Sequence, residues 1–455
     1  MRPDLAAPRR IHLVGIGGAG MSAIATVLAG MGHRVSGSDL KGSPGLERLR
    51  GLGIEVHLGH DAAQVDTAEL VAISTAVGGG NPEVVEARRR EIPVLRRADL
   101  LAAITGTRRT IAVAGTHGKT TTSSMLALVL LEAGWRPSFI IGGELNETGS
   151  GAAWTDGEWL VVEADESDGT FLELDAEAAV VTSVEPDHLD HYGSFERLEE
   201  AFRRFLAGAR GPRVAYRDQP AAERVARATE ATTFGTGPEA DYRIVGLEMA
   251  RSGSRFVLTH GEAAVTPIEL SVPGAHNASN GAAAAVTALR LGVPADAVRT
   301  GLARFTGVAR RYQFRGEWGG ITFIDDYAHL PGEVVPVLDA AARGGWKRVV
   351  CVFQPHRFTR TAALARDFAH AFDAADVLVI TDVYGAGEAP IPGVSGKLVV
   401  DAVLDASPQR PAAYLPGRQE LASYLRANLR PGDLCLTLGA GDLTSLPDEL
   451  MGRLG

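Results

Sequence analysis

Two glycine-rich turns, each placed between a β-like run and a helical run, constrain the fold of this chain more than any other feature. The first is "IHLVGIGGAGMS" at residues 11–22, and the second is "TIAVAGTHGKTTT" at residues 110–122. In open parallel sheets, such a turn lets the backbone approach a phosphate at the N-terminus of the following helix. The two turns therefore predict two α/β regions that each bind a phosphorylated ligand.

The rest of the chain repeats the same alternation of strands and helices. At roughly 150 residues per domain, 455 residues predict about three domains. We expect a three-domain α/β protein, with a Rossmann-like N-terminal domain at 1–105, a central P-loop ATPase-like domain at 106–308 and a Rossmann-like C-terminal domain at 309–455. Runs such as "DYRIVGLEMA" and "SRFVLTH" predict an antiparallel β layer at the edge of the central domain.

The charge and hydropathy of the chain argue against several classes of partner. The net charge is −10, so no overall positive field attracts nucleic acid or an anionic membrane. No apolar run reaches the roughly 18 residues that span a bilayer. Four glycines between residues 15 and 20 would break a signal helix near the N-terminus. We expect a cytoplasmic monomer or homodimer that binds neither nucleic acid nor membrane.

The first turn contains the pattern G-x-G-x-x-G at Gly15, Gly17 and Gly20, and Asp39 ends the next β-like run. In dinucleotide-binding folds, these glycines let the backbone approach a pyrophosphate, and the acidic residue binds ribose hydroxyls. A nicotinamide cofactor and a UDP-sugar both contain a pyrophosphate and a ribose. The turn alone therefore leaves both ligands open.

The second turn ends in Gly118, Lys119 and Thr120, the order found in phosphate-binding loops, but the usual spacing would require a glycine at Val113. Its backbone N–H groups can bind phosphate, Lys119 can reach the outer phosphates, and the Thr120 hydroxyl can bind Mg²⁺. The strand, turn and helix all agree with this interpretation. The turn therefore predicts a second nucleotide site of variant spacing.

Acidic, histidine and asparagine residues follow this turn. Glu163 ends the run "WLVVE", where carboxylates of open α/β sheets often bind metal. The segment 187–191, "DHLDH", suggests a metal site, although its aspartates could also cap a helix. The segment 276–280, "HNASN", begins a helix and could cap it or contact adenine. A histidine ligand would make Mn²⁺ an alternative to Mg²⁺.

The C-terminal region contains two β-like runs that lead into polar loops, "FIDDYAHLP" and "FQPHRFTR". His329, His356, Arg357 and Arg360 could donate several hydrogen bonds to an anionic substrate. A solvated basic loop is the competing interpretation.

Taken in order, the motifs "GIGGAGMS", "GTHGKTTT", "EADESD", "DHLDHY", "PGAHNASN", "DDYAHLP", "FQPHRFTR", "DVYGAGEAP" and "GAGD" make the chain resemble the Mur ligases from about residue 10 to residue 445. The resemblance implies an ATP-dependent ligase of peptidoglycan precursor synthesis. Such an enzyme would join L-alanine to the carboxylate of UDP-N-acetylmuramate through an acyl phosphate, and would release ADP and phosphate. The implied cofactors are ATP and Mg²⁺, with Mn²⁺ as an alternative.

The resemblance also implies roles for particular residues. The implied catalytic residues are Lys119, Glu163, His188 and His329, and the implied metal ligands are Thr120, Glu163 and His188. The implied ATP-binding residues are Gly115, Thr116, His117, Gly118, Lys119, Thr120, Thr121, His276, Asn277, Asn280, Arg311 and Asp325. The implied UDP-sugar-binding residues are Gly15, Gly17, Gly18, Gly20, Asp39 and Ser74. The implied amino-acid-binding residues are Tyr327, His329, His356, Arg357 and Arg360.

The chain departs from the family pattern in two places. Leu330 stands where the family commonly has a second histidine, and no lysine lies between Lys119 and Lys347 that could become a carbamoylated metal ligand. Two alternatives remain open at this point. One is a related ligase that adds a murein peptide or another amino acid. The other is a nicotinamide-dependent Rossmann oxidoreductase, which would leave the second turn unexplained.

Overall fold

The computed structural model describes residues 3–452, and the side chains of Pro44 and Asp190 lie outside the described part. The chain forms two compact units. The first contains the chain up to Val245 together with Val257–Ile268 and Ser279–Phe305. The second contains Gly246–Phe256, Glu269–Ala278 and the chain from Thr306 onward.

The N-terminal region is a parallel sheet with helices between its strands. Its elements are β1 (Arg10–Val14), α1 (Ala19–Gly30), β2 (Arg34–Asp39), α2 (Pro44–Gly51), β3 (Glu55–Leu58), β4 (Leu70–Ile73), α3 (Pro82–Arg89), β5 (Val94–Arg96) and α4 (Arg97–Thr105). The strand order is β3-β2-β1-β4-β5, and each neighbouring pair is parallel. The order reverses between β1 and β4, and open α/β sheets bind ligands at such a reversal. The first glycine loop, which follows β1, lies at this position.

The central region extends one long mixed sheet. Its elements are β6 (Arg109–Ala114), α5 (Lys119–Glu132), β7 (Ser138–Leu145), β8 (Ser150–Ala153), β9 (Trp159–Glu163), β10 (Ala178–Val181), α6 (Leu189–Tyr192), α7 (Phe195–Ala207), β11 (Arg213–Tyr216), α8 (Pro220–Ala228), β12 (Thr232–Gly235), β13 (Tyr242–Ala250), β14 (Gly253–His260), β15 (Ala263–Leu270), α9 (Ala275–Arg290) and α10 (Ala295–Ala303). The strand order is β15-β14-β13-β12-β11-β10-β6-β9-β7-β8.

The strands β13, β14 and β15, which lie at one edge of this sheet, form the predicted antiparallel layer. They are sheet neighbours in chain order, and the gaps between them are too short for the crossover that a parallel pair needs. They continue the central sheet at its edge and do not form a separate sheet.

The N-terminal and central regions share a hydrophobic core. Ile24 and Leu28 on α1 belong to the same buried cluster as Ile140 on β7 and Leu160 on β9. Gly30 has no side chain, because a Cβ there would lie 2.6 Å from the Cβ of Trp154. This common core explains why the two regions belong to one compact unit, whereas the predicted boundary at residues 105 and 106 stays a prediction.

The C-terminal region is a third α/β layer. Its elements are β16 (Gln313–Trp318), β17 (Ile321–Asp326), α11 (Pro331–Ala342), β18 (Arg348–Phe353), α12 (Phe358–Leu364), β19 (Val377–Ile380), α13 (Lys397–Ala406), β20 (Ala412–Tyr414), α14 (Arg418–Asn428), β21 (Asp433–Leu438) and α15 (Leu446–Leu450). The strand order is β16-β17-β21-β18-β19-β20, and only the β16–β17 pair is antiparallel among these strands. The carboxyl ends of β17 and β18 therefore lie at the same edge, which places their polar loops together.

Short 3₁₀ helices lie at Ala62–Val65, Thr170–Glu173, Ala365–Phe368 and Asp442–Ser445. Within residues 3–452, none of the helices combines the length and the apolar character required to cross a membrane.

The predicted α/β class is confirmed in all three regions. The predicted boundary at residues 308 and 309 stays a prediction, like the first one.

Candidate functional site

The first glycine loop is tied to the end of β2 by its own backbone. Gly15 adopts φ +80°, and the N–H groups of Gly15 and Ile16 donate to the carbonyl oxygen of Ser38 at 2.9 and 3.0 Å. The N–H group of Gly17 donates to Oδ2 of Asp39 at 2.9 Å. The loop that would approach a pyrophosphate is therefore shaped by the last two residues of the neighbouring strand.

The structure brings the predicted sugar-nucleotide residues together around this loop. A Cβ on Gly15 would lie 3.0 Å from the hydroxyl of Ser74, and a Cβ on Gly17 would lie 2.8 Å from Oδ2 of Asp39. Gly18 is the N-cap residue of α1, and Gly20 lies in its first turn. Oδ1 of Asp39 also accepts a hydrogen bond from the N–H group of Lys41 at 3.3 Å. Asp39 holds the loop in place, and its predicted contact with a ribose stays a prediction.

A buried polar cluster supports Ser38 from beneath. Glu83 and His12 have fully buried side chains, and Oε2 of Glu83 lies 3.1 Å from Nε2 of His12. The hydroxyl of Ser38 donates to the same oxygen at 2.7 Å, and Nδ1 of His60 lies 3.0 Å from Oε1 of Glu83. Burial alone would raise the pKa of Glu83, but the hydrogen bonds from His12 and Ser38 lower it. Glu83 is thus a buried carboxylate with its partners in place.

The start of α3 explains how Glu83 reaches this position. Asn81 caps the helix, because its side-chain oxygen accepts hydrogen bonds from the N–H groups of Glu83 and Val84 at 2.9 and 3.4 Å. Pro82 occupies the first helical turn, where its missing N–H group costs nothing. The cap fixes Glu83 in the first turn, facing the sheet.

The second glycine loop forms a cradle at the N-terminus of α5. Gly118 adopts φ +82° and precedes the helix, and a Cβ there would collide with the side-chain oxygen of Asn280. Gly115 adopts φ +140°, and a Cβ there would collide with the hydroxyl of Thr182. No side chain in the described chain caps α5. The N–H groups of its first turn are therefore available to bind a phosphate. The two glycines leave room for that phosphate beside the backbone.

Lys119 extends into this cradle and is held by acceptors of the protein itself. Its Nζ donates to the carbonyl oxygen of Gly115 at 2.6 Å and to Oε1 of Glu166 at 2.8 Å. Only 16% of the Lys119 side chain and 2% of the Glu166 side chain are exposed. Burial would lower the pKa of Lys119, but the carboxylates of Glu166, Asp165 and Glu163 outweigh burial and raise it. The amine therefore stays protonated.

A hydroxyl and a carboxylate meet beside Lys119. The hydroxyl of Thr120 donates to Oε1 of Glu163 at 3.0 Å, and Oε2 of Glu163 accepts from the N–H group of Gly142 at 2.7 Å. Thr120 begins α5 and Glu163 ends β9, which pairs in parallel with β6. Oxygen ligands of this kind suit Mg²⁺. The chemistry of this pair fits the predicted metal.

The structure does not join His188 to that pair. His188 adopts φ +51° just before α6, and its Nε2 lies 3.3 Å from Oδ2 of Asp187. Among the described side chains, no group of three or more His, Cys, Asp or Glu residues is arranged to hold a metal ion. The side chain of Asp190 lies outside the described part. Metal binding by Thr120 and Glu163 stays a prediction that the geometry favours, and the role of His188 stays a prediction without that support.

The other loop residues make contacts with the strand-end segment that follows β10. The N–H group of Glu185 donates to the Thr116 hydroxyl at 2.9 Å, and Nε2 of His117 lies 3.2 Å from Oε2 of Glu185. Thr121 is buried within α5. Thr116 and His117 therefore help to fix the conformation of the loop, whether or not they also touch a nucleotide.

The three predicted residues on α9 have different surroundings. The side-chain oxygen of Asn280 accepts from the hydroxyl of Thr122 at 3.4 Å, close to Gly118. Asn277 instead donates to the carbonyl oxygen of Pro273 at 2.7 Å, which fixes the start of its own helix. His276 is half-buried, and burial together with Arg311 lowers its pKa to about 4.

Asp325 is enclosed within the C-terminal region. It is 1% exposed, and its oxygens accept hydrogen bonds from the hydroxyls of Thr437 and Thr444, both at 2.6 Å. Arg311 lies with its guanidinium carbon 5.2 Å from the ring centre of Tyr327. The structure therefore gives Asp325 a role inside the sheet, and its predicted nucleotide contact stays a prediction.

The C-terminal loops assemble most of the predicted amino-acid site. The ring of His329 is 5.4 Å from that of Tyr327 and 5.2 Å from that of His356. Nη1 of Arg360 lies 3.1 Å from Nδ1 of His356. Burial lowers the pKa of His329 and, together with His329 and Arg360, lowers the pKa of His356 to about 4. Both imidazoles are therefore neutral at pH 7.

Glu333 and Glu388 hold this site from two sides. Oε2 of Glu333 accepts from the N–H groups of His329 and Leu330 at 2.9 and 3.2 Å, which caps α11. Oε1 of Glu388 accepts from Nε of Arg357 at 2.6 Å. Despite burial, hydrogen bonds from Thr359 and Arg357 lower the pKa of Glu388 to about 2. Leu330, the departure from the family pattern, is a buried helix-cap residue.

Sequence reasoning missed several residues of these clusters. Glu388 and Glu166 lie inside quoted motifs, "DVYGAGEAP" and "EADESD", so a signal for them existed. Glu83 had no local signal, because its partners His12, Ser38 and His60 are distant in sequence.

The chain places a protonated lysine at a helix N-terminus beside a hydroxyl–carboxylate pair, and it has a second glycine-rich loop after β1. This combination is typical of nucleotide-binding α/β enzymes. Three family descriptions match the chain in order: "Mur ligase family, catalytic domain" at residues 10–109, "Mur ligase middle domain" at 113–288 and "Mur ligase, glutamate ligase domain" at 310–441. The chain belongs to the Mur ligase family.

Individual relatives agree over the whole chain. The UDP-N-acetylmuramate–L-alanine ligase of Rubrobacter xylanophilus is 47% identical, over 98% of this chain and 100% of that protein. The ligase of the same name from an Anaeromyxobacter species is 45% identical, over 98% of each chain. The crystal structure of the UDP-N-acetylmuramate-alanine ligase from Thermotoga maritima matches with a TM-score of 0.84 at 29% identity, over 98% of this chain and 99% of that one.

Proposed function

We propose that the chain is an ATP-dependent ligase of peptidoglycan precursor synthesis that joins L-alanine to the carboxylate of UDP-N-acetylmuramate. The reaction would proceed through an acyl phosphate and release ADP and phosphate. One structural observation supports the proposal: Lys119 lies at the N-terminus of α5, beside the Thr120–Glu163 pair, and this arrangement suits a nucleotide triphosphate. We infer the substrates from the full-length relatives, because their names state this reaction.

The central region has the charge that the first step needs. Attack of a carboxylate on the γ-phosphate brings two anions together, so the site must supply positive charge that is already in place. Lys119 is protonated and can exchange Glu166 for a phosphate oxygen. Thr120 and Glu163 would hold Mg²⁺, which would neutralise phosphate charge. The helix N-terminus adds N–H donors.

The N-terminal region would bind the nucleotide sugar. Its glycine loop is held by hydrogen bonds to Ser38 and Asp39 of the protein itself, so ordering of the loop need not depend on the ligand. We propose that each region binds one substrate, as predicted from the sequence. Residues 1–105 would bind the UDP-sugar, residues 106–308 ATP and residues 309–455 the amino acid.

The C-terminal cluster suits the second step. L-Alanine must lose a proton from its ammonium group before the amine can attack an acyl phosphate. His329 is neutral and can accept a proton, while Arg360 and Arg357 can bind the amino-acid carboxylate. The tie between Arg357 and Glu388 fixes the direction of that guanidinium.

Phosphate release from ATP with a panel of acceptors tests this function. We expect no release when either UDP-N-acetylmuramate or the amino acid is left out, and slower release with glycine or L-serine than with L-alanine. A much higher rate with a murein tripeptide would assign the chain to a different activity within its family. A nicotinamide-dependent oxidoreductase would instead bind NADH, which a change in NADH fluorescence would report.

A further inference from the structure

Arg97, the first residue of α4, lies beside the first turn of α1. A Cβ on Gly20 would lie 2.8 Å from Nη1 of Arg97, so the guanidinium occupies the space that a side chain would fill. In the described chain, no side chain caps the N-terminus of α1. The formal charge of Arg97 therefore adds to the partial positive charge of that helix end.

On its other side, Arg97 faces the acidic loop after β9. Its Nη2 is 3.8 Å from Oδ2 of Asp165 and 3.6 Å from Oδ2 of Asp168. Charge-assisted hydrogen bonds are shorter, roughly 2.7–2.9 Å, and within the described residues the Arg97 guanidinium makes none. The side chain is only 23% exposed. Arg97 is thus held in place by charge, and within residues 3–452 its N–H donors have no acceptor at hydrogen-bond distance.

The neighbouring residue Arg96, by contrast, makes several hydrogen bonds to carboxylates. Arg96 donates to the two oxygens of Asp99 at 3.0 and 2.8 Å and to Glu173 at 3.1 Å. Its side chain is 64% exposed. Among the described residues, the less exposed of the two arginines is therefore the one with no protein acceptor at hydrogen-bond distance, so a ligand can bind its guanidinium without displacing a hydrogen-bonded partner.

The acidic loop also connects Arg97 to the ATP cradle. Asp165 faces Arg97, and the next residue, Glu166, pairs with Lys119. A positive group beside the sugar-nucleotide loop and a positive group in the phosphate cradle are therefore held by adjacent carboxylates. In the proposed reaction, an anionic group of the nucleotide sugar has to reach the phosphates bound at Lys119.

We propose that Arg97 binds an anionic group of the nucleotide-sugar substrate, either its pyrophosphate or its muramoyl carboxylate, and orients it between the two glycine loops. The proposal rests on the proposed function. The planar guanidinium suits both groups, because each offers two oxygens to a pair of parallel N–H donors. The ligand takes the hydrogen-bonding positions that Asp165 and Asp168 leave unused.

Binding measurements on the full chain test this role. Arg97→Met removes the charge and keeps the apolar stem, and Arg97→Lys keeps the charge without the planar fork. We expect Arg97→Met to bind UDP-N-acetylmuramate about tenfold or more weakly, and a non-hydrolysable ATP analogue within about twofold of wild type. Arg97→Lys should fall between. An equal loss with UDP-N-acetylglucosamine identifies the pyrophosphate, and a loss confined to UDP-N-acetylmuramate identifies the carboxylate.

Arg96→Met is the matched control, because it removes an adjacent arginine with ion pairs but no contact with Gly20. It should bind the nucleotide sugar within about twofold of wild type. Wild-type affinity in Arg97→Met, or an equal loss of ATP-analogue binding, would overturn the proposal. If Arg97→Met does not fold, Arg97→Lys decides: weaker sugar-nucleotide binding at wild-type thermal stability supports the role, and unchanged binding refutes it. Failure of the proposed function differs, because then wild type itself would not bind UDP-N-acetylmuramate.

Discussion

Lys119 and His356 are both largely enclosed by protein, yet their pKa values favour opposite charge states. Around Lys119, three carboxylates outweigh burial, and the pKa is raised. Around His356, another histidine and two arginines reinforce the effect of burial and outweigh Glu388, so the pKa falls to about 4. Burial alone therefore does not decide whether a group is charged; the sign of its neighbours does.

This difference suits two successive steps. A site that receives phosphates gains from a cation that is present at every working pH. A site that must take a proton from an ammonium group gains from an imidazole that is neutral at the same pH.

Lys119→Ala should remove the lysine cation from the phosphate cradle at the N-terminus of α5. We expect turnover to fall by at least about 10²–10³-fold, because the phosphates lose a preorganised cation, while binding of UDP-N-acetylmuramate remains. Steady-state phosphate release and equilibrium binding measure the two effects. Lys397→Ala is the control, since Lys397 pairs with Asp401 at an exposed position. Equal loss of sugar-nucleotide binding would show that Lys119 supports the fold as well as the reaction.

His329→Asn should remove the proposed proton acceptor of the C-terminal cluster. We expect kcat to fall by about 10²-fold or more. In wild type, the lowered pKa of His329 favours the neutral imidazole at more acidic pH, so activity should persist to lower pH than an ordinary histidine allows. The pH profile of kcat measures this, with His370→Asn as an exposed control. A variant that keeps the wild-type acid limb would exclude His329 as the base.

Glu388→Gln should release Arg357 without removing it. The Arg357 guanidinium would lose its charged partner at 2.6 Å and become less well oriented for a carboxylate. We expect the KM for L-alanine to rise by about tenfold with a smaller change in kcat. Asp401→Asn, which breaks an exposed ion pair, is the control. A fall in kcat at constant KM would contradict a role in substrate binding.

The smallest expected effect is on the pH dependence of stability. His276 and His356, with pKa values of about 4, bind protons more weakly in the folded chain than in the unfolded chain. Stability should therefore fall as pH drops from about 6.5 to about 4. Burial raises the pKa of Asp326 to about 6, so its contribution is lost as pH rises over the range from about 4 to 6.

Denaturant midpoints between pH 4 and pH 7 separate these contributions. His356→Asn should flatten the loss of stability at acidic pH, whereas Asp326→Asn should make the stability rise more steeply with pH. His370→Asn should leave the curve unchanged, because that side chain is 72% exposed. Coinciding curves for wild type and His356→Asn would show that this histidine has an ordinary pKa.

The sequence was sufficient to predict the arrangements that depend on neighbouring residues of one loop, helix or strand end. Both glycine loops, Lys119, Thr120 and Glu163 could be predicted because a loop, its helix and the end of a strand are local features. The C-terminal cluster was predicted for a related reason, since parallel strands bring the ends of β17 and β18 to one edge.

Pairings across long separations could not be predicted. Asn280 and Gly118 lie far apart in sequence, and nothing local indicates that one excludes a side chain on the other. Arg97 resembles every other arginine in a chain rich in them until its distance from Gly20 is known. The enclosure of Asp325 depends on hydroxyls of Thr437 and Thr444, which a motif search does not connect to it.

The support beneath the first glycine loop has a consequence for protein engineering. The conformation of "GIGGAG" is set by the carbonyl oxygen of Ser38, whose side chain is held in turn by Glu83 and His60. Grafting the loop alone into another Rossmann-like scaffold would transfer its sequence without its geometry. We therefore expect that a working graft has to carry His12, Ser38, His60 and Glu83 together with the loop, because these four side chains form one connected polar cluster.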